Sequence, residues 1–431
     1  MSARAVTLRD YKRLIRDNRN FRLLWSAQIV SELGDWFYSV AIFSFLLQTA
    51  GTAKSVALAF VLQVLPQCFA APLAGVINDR ASRKRVMIFA DWTRSGIVLS
   101  MLLVRSADTV WLLYGLLFME TVMWAMFEPA RSAVVPNIVG DKDVIVANAL
   151  SSTTWSINFA IGGALGGILT AMIGRDQVFI INSLSFVLSA ALISRMRFDE
   201  PHTAHLPPLR ARDLADFTPV AEGIRYVVRD IRLAVTMFVK AGLSIMGTNW
   251  VLIPLMGERL FPVYFGNFNS AQAATMGMSI MLGSRGIGAI IGGFGVSAVA
   301  GNSKQRLRRS ILWGFLLGSL GYVVLSRAPN LFIACAGLIV AHAGGSALWV
   351  ASTTMLQDQT DDRFRGRVFS AEFALSMGTL AAVSYVSGMV VDKGVDLRTV
   401  AVATAIGMLV PALAWAFALR LWRRDSDAQR E

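Results

Sequence analysis

Apolar residues recur along this chain in long blocks separated by short polar stretches, and most blocks show no polar face. At 1.5 Å of rise per residue, a helix needs about twenty such residues to cross roughly 30 Å of hydrocarbon. Blocks of that order lie near 21–48, 55–78, 86–104, 109–131, 148–173, 177–196, 231–258, 272–300, 309–326, 330–356, 367–391 and 396–421. The pattern predicts an all-α membrane protein with twelve transmembrane helices. Lipid satisfies no backbone polar group, so each block must be helical, and the glycine-rich pieces must pack against other helices.

The longest polar stretch, 197–230, divides the spans six and six and contains Pro201, Pro207 and Pro208, as a linker would. The expected organisation is a cytoplasmic tail (1–20), a first six-helix bundle (21–196), a cytoplasmic linker (197–230), a second bundle (231–421) and a second tail (422–431). Within the linker, Ala221–Val228 mixes apolar and basic residues at near-helical spacing and predicts a short helix on the membrane surface. A weak repeat pairs Leu33-Gly34-Asp35-Trp36-Phe37 with Met246-Gly247-Thr248-Asn249-Trp250, and Ala130–Asp141 with Ala351–Asp362.

Composition agrees: 55% of residues are hydrophobic and 16% charged, too little polar material to coat a soluble globule of 431 residues. The net charge of +13 belongs to loops rather than to a nucleic-acid surface. Clusters at Arg80-Arg83-Lys84-Arg85, Lys304-Arg306-Arg308-Arg309, Arg363-Arg365-Arg367 and Arg420-Arg423-Arg424 all fall on the side of the two termini. The positive-inside rule then places both termini in the cytoplasm of a cell whose inner membrane the chain crosses. The first apolar block is too long for a signal sequence and reads as a retained span. Cys68 and Cys335 lie inside apolar blocks and His202, His205 and His342 are scattered, so no disulfide, metal site or cofactor is expected. Without a nucleophile set or a Walker loop, neither an enzyme nor an ATP-driven pump is indicated.

The loop between the second and third blocks, Gly75-Val76-Ile77-Asn78-Asp79-Arg80-Ala81-Ser82-Arg83-Lys84-Arg85, resembles the G-x-x-x-D-R-x-G-R-[RK] signature of the major facilitator superfamily, with Ser82 in place of the second glycine. Gly162-Gly163-Ala164-Leu165-Gly166-Gly167 resembles the antiporter element G-P-x-x-G-G, with Gly163 replacing the proline. Asn20-Phe21-Arg22-Leu23-Leu24-Trp25, Asp91-Trp92-Thr93-Arg94, Pro129-Ala130-Arg131, Ala147–Ser151 and Arg365-Gly366-Arg367-Val368 are similar to the secretion-effector branch, which includes macrolide and enterobactin exporters and lysophospholipid transporters. The resemblance implies the major facilitator fold, two six-helix bundles related by pseudo-twofold symmetry. It also implies a cytoplasmic gate, to which Gly75, Asp79, Arg80, Arg83, Lys84, Asp91, Arg94, Glu128 and Arg131 are assigned, and helix packing through Gly162, Gly163, Gly166 and Gly167.

Charges inside spans cost at least roughly 2.5–3.5 kcal/mol each on insertion scales, so each needs a partner or a task. Glu32 and Asp35, at i and i+3 near the middle of the first span, share a helix face and can hold a proton between them. Glu120 lies at a similar depth, and His342 is a group able to carry a proton. Proton coupling is therefore assigned to Glu32, Asp35, Glu120 and His342. Lys240 and Arg285 bring positive charge from the second half, either toward cargo or as partners of Glu120 or Asp35. With Trp36, Met123, Trp124, Asn249 and Trp250 they form the expected substrate cavity, apolar and aromatic enough for an amphiphile. Asp91 with Arg94, and Glu128 with Arg131, read as i, i+3 pairs.

The reading that unites these residues is a monomeric, proton-coupled exporter of a small amphiphilic molecule, such as a drug, siderophore or secondary metabolite, with protons, cargo and lipid as its partners. A lysophospholipid flippase of the same fold, with Arg285 or Lys240 meeting the phosphate, is the alternative. A sensor without transport, or an intramembrane enzyme, is the alternative of another class.

Overall fold

In a computed structural model the described residues are 8–140, 143–200, 225–300 and 303–428. Among them twelve stretches are long and apolar enough to cross a membrane. In chain order the helices are α1 (Leu8–Asp17), α2 (Arg19–Ala50), α3 (Ala53–Arg80), α4 (Arg83–Ser100), α5 (Val110–Val139), α6 (Val144–Ile173) and α7 (Arg175–Ser194). After the linker come α8 (Ile231–Leu243), α9 (Asn249–Arg259), α10 (Ser270–Ala300), α11 (Lys304–Arg327), α12 (Leu331–Gln359), α13 (Asp362–Asp392) and α14 (Leu397–Ala428). Large apolar side chains point outward as well as inward, Trp111 and Phe332 being 70% and 79% exposed, and only lipid makes such a surface stable.

Two compact units emerge, one of Met1–Phe45 with Leu62–Asp216 and the other of Phe217–Glu431 with Leu46–Val61. In the first, Leu24, Met87, Phe127, Val134 and Ile193 build an apolar core. Within the expected N-terminal tail, α1 buries Leu14 against this core and leans Tyr11 and Ile15 on it, a spacing that presents one apolar face. Asn18 caps the entry to α2, its side-chain oxygen accepting from the Phe21 amide while its Nδ2 donates to the Ile138 carbonyl. A single residue, Gly174, joins α6 to α7 at φ +88°, a conformation that suits only glycine.

Glycine lets α6 close on α2. A Cβ at Gly162 would lie 2.5 Å from Trp36 Cβ, and one at Gly166 would lie 2.8 Å from Phe37 Cα, so this face of α6 accepts α2 backbone directly. Gly163 and Gly167 are also buried. The proposed internal repeat is not matched in packing. Gly34 faces Asn182 and Ser185 on α7, the sixth span, whereas Gly247 faces Leu380 and Ser384 on α13, the eleventh.

In the second unit the seventh span is broken where an unbroken helix was expected. Ser244–Thr248 is a 3₁₀ segment between α8 and α9, and Pro254 within α9 removes one further backbone donor. The carbonyls at the break are served by side chains: Asn249 Nδ2 and Tyr322 OH donate to Met246 O at 2.5 and 3.2 Å, and Ser384 Oγ donates to Gly247 O at 2.9 Å. Of the expected surface helix at Ala221–Val228, residues 221–224 lie outside the described residues; 225–228 are helical, with Val227 buried against Leu233 and Met237 rather than facing a membrane surface.

Candidate functional site

Arg94, on α4, is 1% exposed and is the hub of the first unit's buried charge. Its Nε donates to Glu120 Oε1 at 2.8 Å and its Nη2 donates to Asp35 Oδ2 at 2.8 Å. Asp91 Oδ1 stands 3.8 Å from Nη1, and the guanidinium lies 4.0 Å from the centre of the Phe186 ring. Tyr38 OH donates to the second oxygen of Glu120 at 3.2 Å. One cation thus gathers carboxylates from three helices, α2, α4 and α5, in a setting where each isolated charge is costly. Asp35 is the most exposed member, its side chain 22% exposed against 6% for Glu120 and none for Asp91, and its buried Oδ1 has no hydrogen-bond partner.

Some readings from spacing are corrected by this geometry. Asp91 and Arg94 do face each other at 3.8 Å, as their i, i+3 spacing predicts, but the guanidinium makes its close bonds to Asp35 and Glu120 on other helices. Arg94 does not lie at the gate end of α4, being eleven residues, about 16 Å, from Arg83 at the helix start. Glu32 and Asp35 take different partners: Glu32 accepts from Gln28 Nε2 at 2.8 Å and from Asn158 Nδ2 at 2.9 Å, while Asp35 bonds Arg94. The Glu32 network continues through Gln28 Oε1 to Arg131 Nη1 at 3.3 Å, and Arg131 closes a two-point pair with Glu128 at 2.5 and 2.9 Å.

Within the second unit, Lys240 has a partner of its own. Its Nζ donates to Glu372 Oε2 at 2.8 Å and lies 4.3 Å from the Trp349 ring centre. Both members are buried, at 4% and 2% exposure. Glu372 was not foreseen, although it is the lone acid within the apolar block 367–391 and that was a signal. Arg285 donates to Asn249 Oδ1 at 3.2 Å and stacks 4.0 Å over Trp250, which in turn stacks on Phe60 at 4.3 Å. His342 Nε2 is buried with no hydrogen-bond partner.

Met123 lies in the apolar core of the first unit, Trp36 meets Phe159 edge-on at 4.7 Å, and Trp124 is half-buried. At the expected gate, Arg83 donates to the Ala133 carbonyl at 3.0 Å and Lys84 to that of Met196 at 2.7 Å, tying the α3–α4 turn to α5 and to the end of α7. Ser82 caps α4 and donates to Glu200 at 2.5 Å. Arg80 is half-buried, and the surroundings of Gly75 and of the Asp79 side chain fall outside the described ones.

The twelve candidate spans among the described residues are arranged as in solved membrane transporters. The chain superposes on a variant of the nucleoside transporter NupG with a TM-score of 0.72 at 13% identity, covering 91% of this chain and 99% of that one. A bacterial homologue of the human lysosomal transporter Spinster gives a TM-score of 0.67 at 13% identity, covering 95% and 98%. Residues 16–431 match the transmembrane secretion effector family, and the chain belongs to that family of major facilitator transporters. Macrolide efflux protein A of Streptococcus pyogenes is 24% identical over 81% of this chain and 84% of its own length. The multidrug efflux pump Tap of Mycobacterium bovis is 23% identical over 85% and 84%. The uncharacterized MFS-type transporter YkuC of Bacillus subtilis is 27% identical over 62% of this chain and 64% of that protein. These relatives are transporters, not enzymes.

Proposed function

We propose that the chain exports small amphiphilic molecules in exchange for protons by alternating access, with Asp35, Arg94 and Glu120 as the proton-binding group. The observation that carries this reading is Arg94, a single buried cation within 2.8 Å of two carboxylates and 3.8 Å of a third. Negative groups outnumber the cation, so the cluster approaches neutrality by taking up protons, and Asp35 is its most exposed member. A proton on Asp35 weakens its bond to Arg94 and frees α2 from α4, the kind of local charge change that biases a two-state element. Export as the direction is supported by the relatives named for macrolide and multidrug efflux. The basic loops support an inner-membrane location with both termini in the cytoplasm.

Proteoliposomes with an imposed pH gradient test the assignment. Asp35→Asn is expected to abolish gradient-driven transport while leaving downhill exchange of cargo. Glu32→Gln is expected to keep most of the coupling, because amide donors and not a cation hold Glu32. Gradient-driven transport by Asp35→Asn at the parent rate sinks the assignment.

A further inference from the structure

In the second unit, the surroundings of the Lys240 ammonium have the composition of a receptor for an organic cation. A carboxylate, Glu372, holds it at 2.8 Å, the Trp349 ring lies 4.3 Å away and the Phe369 ring 5.7 Å away. A carboxylate flanked by aromatic faces is how proteins recognise alkylammonium groups. We propose that this cage is a cargo subsite for protonated amines, filled in this state by the protein's own Lys240, and that an amine on the cargo displaces the lysine to enter.

Two further features fit a cage built for more than a lysine. Glu372 Oε1 and, one turn along α13, Ser376 Oγ are buried without a hydrogen-bond partner, so acceptor and donor capacity extends past the atom that Lys240 uses. Burying polar groups unsatisfied is unfavourable unless something visits them. Trp349, by contrast, is 41% exposed, so one wall of the cage can be reached from outside the packed core. Lys240 is suited to leaving, since its ammonium is a point charge on a flexible four-carbon stem. At Glu372 itself the exchange leaves the charge unchanged, because the cargo cation takes the place of the lysine head, which must then carry its charge to water or give up its proton. The subsite deepens the exporter reading by naming the cargo class, and it rests on that reading for the word cargo.

The test uses the full chain in nanodiscs and three probes of one shape: protonated phenethylamine, neutral phenethyl alcohol and anionic 3-phenylpropionate. Lys240→Ala vacates the cage, and its affinity for phenethylammonium is expected to exceed the parent's at least tenfold, with no gain for the alcohol or the anion. Adding Glu372→Gln or Trp349→Leu to Lys240→Ala should remove most of that gain. An unchanged amine affinity in Lys240→Ala, or an equal gain for the alcohol, overturns the proposal and leaves the pair a structural tie.

Should Lys240→Ala fail to fold, the parent chain supplies the second measurement. Saturating N,N-dimethylphenethylammonium, a tertiary amine that forms no amide with the reagent, is expected to raise acylation of Lys240 by an amine-reactive ester at least threefold, read by mass spectrometry, while phenethyl alcohol leaves it unchanged; no rise overturns the proposal. These binding arms do not involve Asp35, so failure of proton coupling and failure of the cage register separately.

Discussion

Arg94 and Asp35 are joined across 2.8 Å from α4 to α2, although fifty-nine positions separate them in the chain, and the same guanidinium holds Glu120. Removing the cation from such a site leaves buried carboxylates uncompensated, at about 3–5 kcal/mol for a broken buried pair. Arg94→Met is therefore expected to lower thermal stability by that order or to prevent purification. Arg94→Lys keeps the charge but loses the fork and the stacking on Phe186, and should fall between parent and methionine variant. A fluorescence melting series on detergent-purified variants checks the ranking, and a methionine variant as stable as the parent contradicts it.

Close approach of α6 to α2 gives a second prediction with its own control. Gly166→Ala sets a methyl 2.8 Å from the Phe37 Cα, which is backbone and cannot swing away, so about 1–3 kcal/mol should be lost. Gly96→Ala, where nothing lies within 4 Å of the new carbon, should be neutral or stabilising by up to about 1 kcal/mol. Melting temperatures moving in opposite directions confirm the contact.

How far these features were readable from the sequence differs with their range. The twelve spans were legible because the length of an apolar block is a local property, and so was the Glu128–Arg131 pair. The Arg94 cluster was not. Spacing placed Asp91 one turn from Arg94, but a guanidinium reaches past its own helix, and the rotation of α2 and α5 that brings up Asp35 and Glu120 is a tertiary outcome. Glu32 and Asp35 illustrate the same limit: an i, i+3 offset leaves them some 60° apart around the helix, enough to send one to α6 and the other to α4. The break in the seventh span did leave traces in Gly247 and Pro254, which mean hydropathy across the block conceals.

Asp392, at the end of α13, caps α3: its two oxygens accept from the Ala53 and Lys54 amides at 2.8 and 2.9 Å. Gly388, one turn earlier, allows Ala57 to approach. The first amides of a helix have no partner of their own, and an acid there also meets the positive end of the helix dipole. Asp392→Ala should cost about 0.5–2 kcal/mol and speed hydrogen exchange at Ala53 and Lys54 before it affects the rest of α3. Asp392→Asn, which keeps one acceptor, should show a smaller change at the same two amides. Exchange unaltered in both variants removes the cap.

The 3₁₀ segment at Ser244–Thr248 supplies the last prediction, because a broken helix in a membrane persists only if its released carbonyls are met. Tyr322 and Ser384 meet those of Met246 and Gly247 from α11 and α13, and both residues are fully buried. Tyr322→Phe and Ser384→Ala each remove one hydroxyl donor, with an expected loss of about 0.5–1.5 kcal/mol apiece. Their carbonyls are adjacent in the chain, so the double variant should lose more than the sum as the segment gives way as one unit. It should also show faster hydrogen exchange at the start of α9, while α5 in the other unit keeps its protection. A purely additive double variant with unchanged exchange at α9 would mean that the break is held by packing alone.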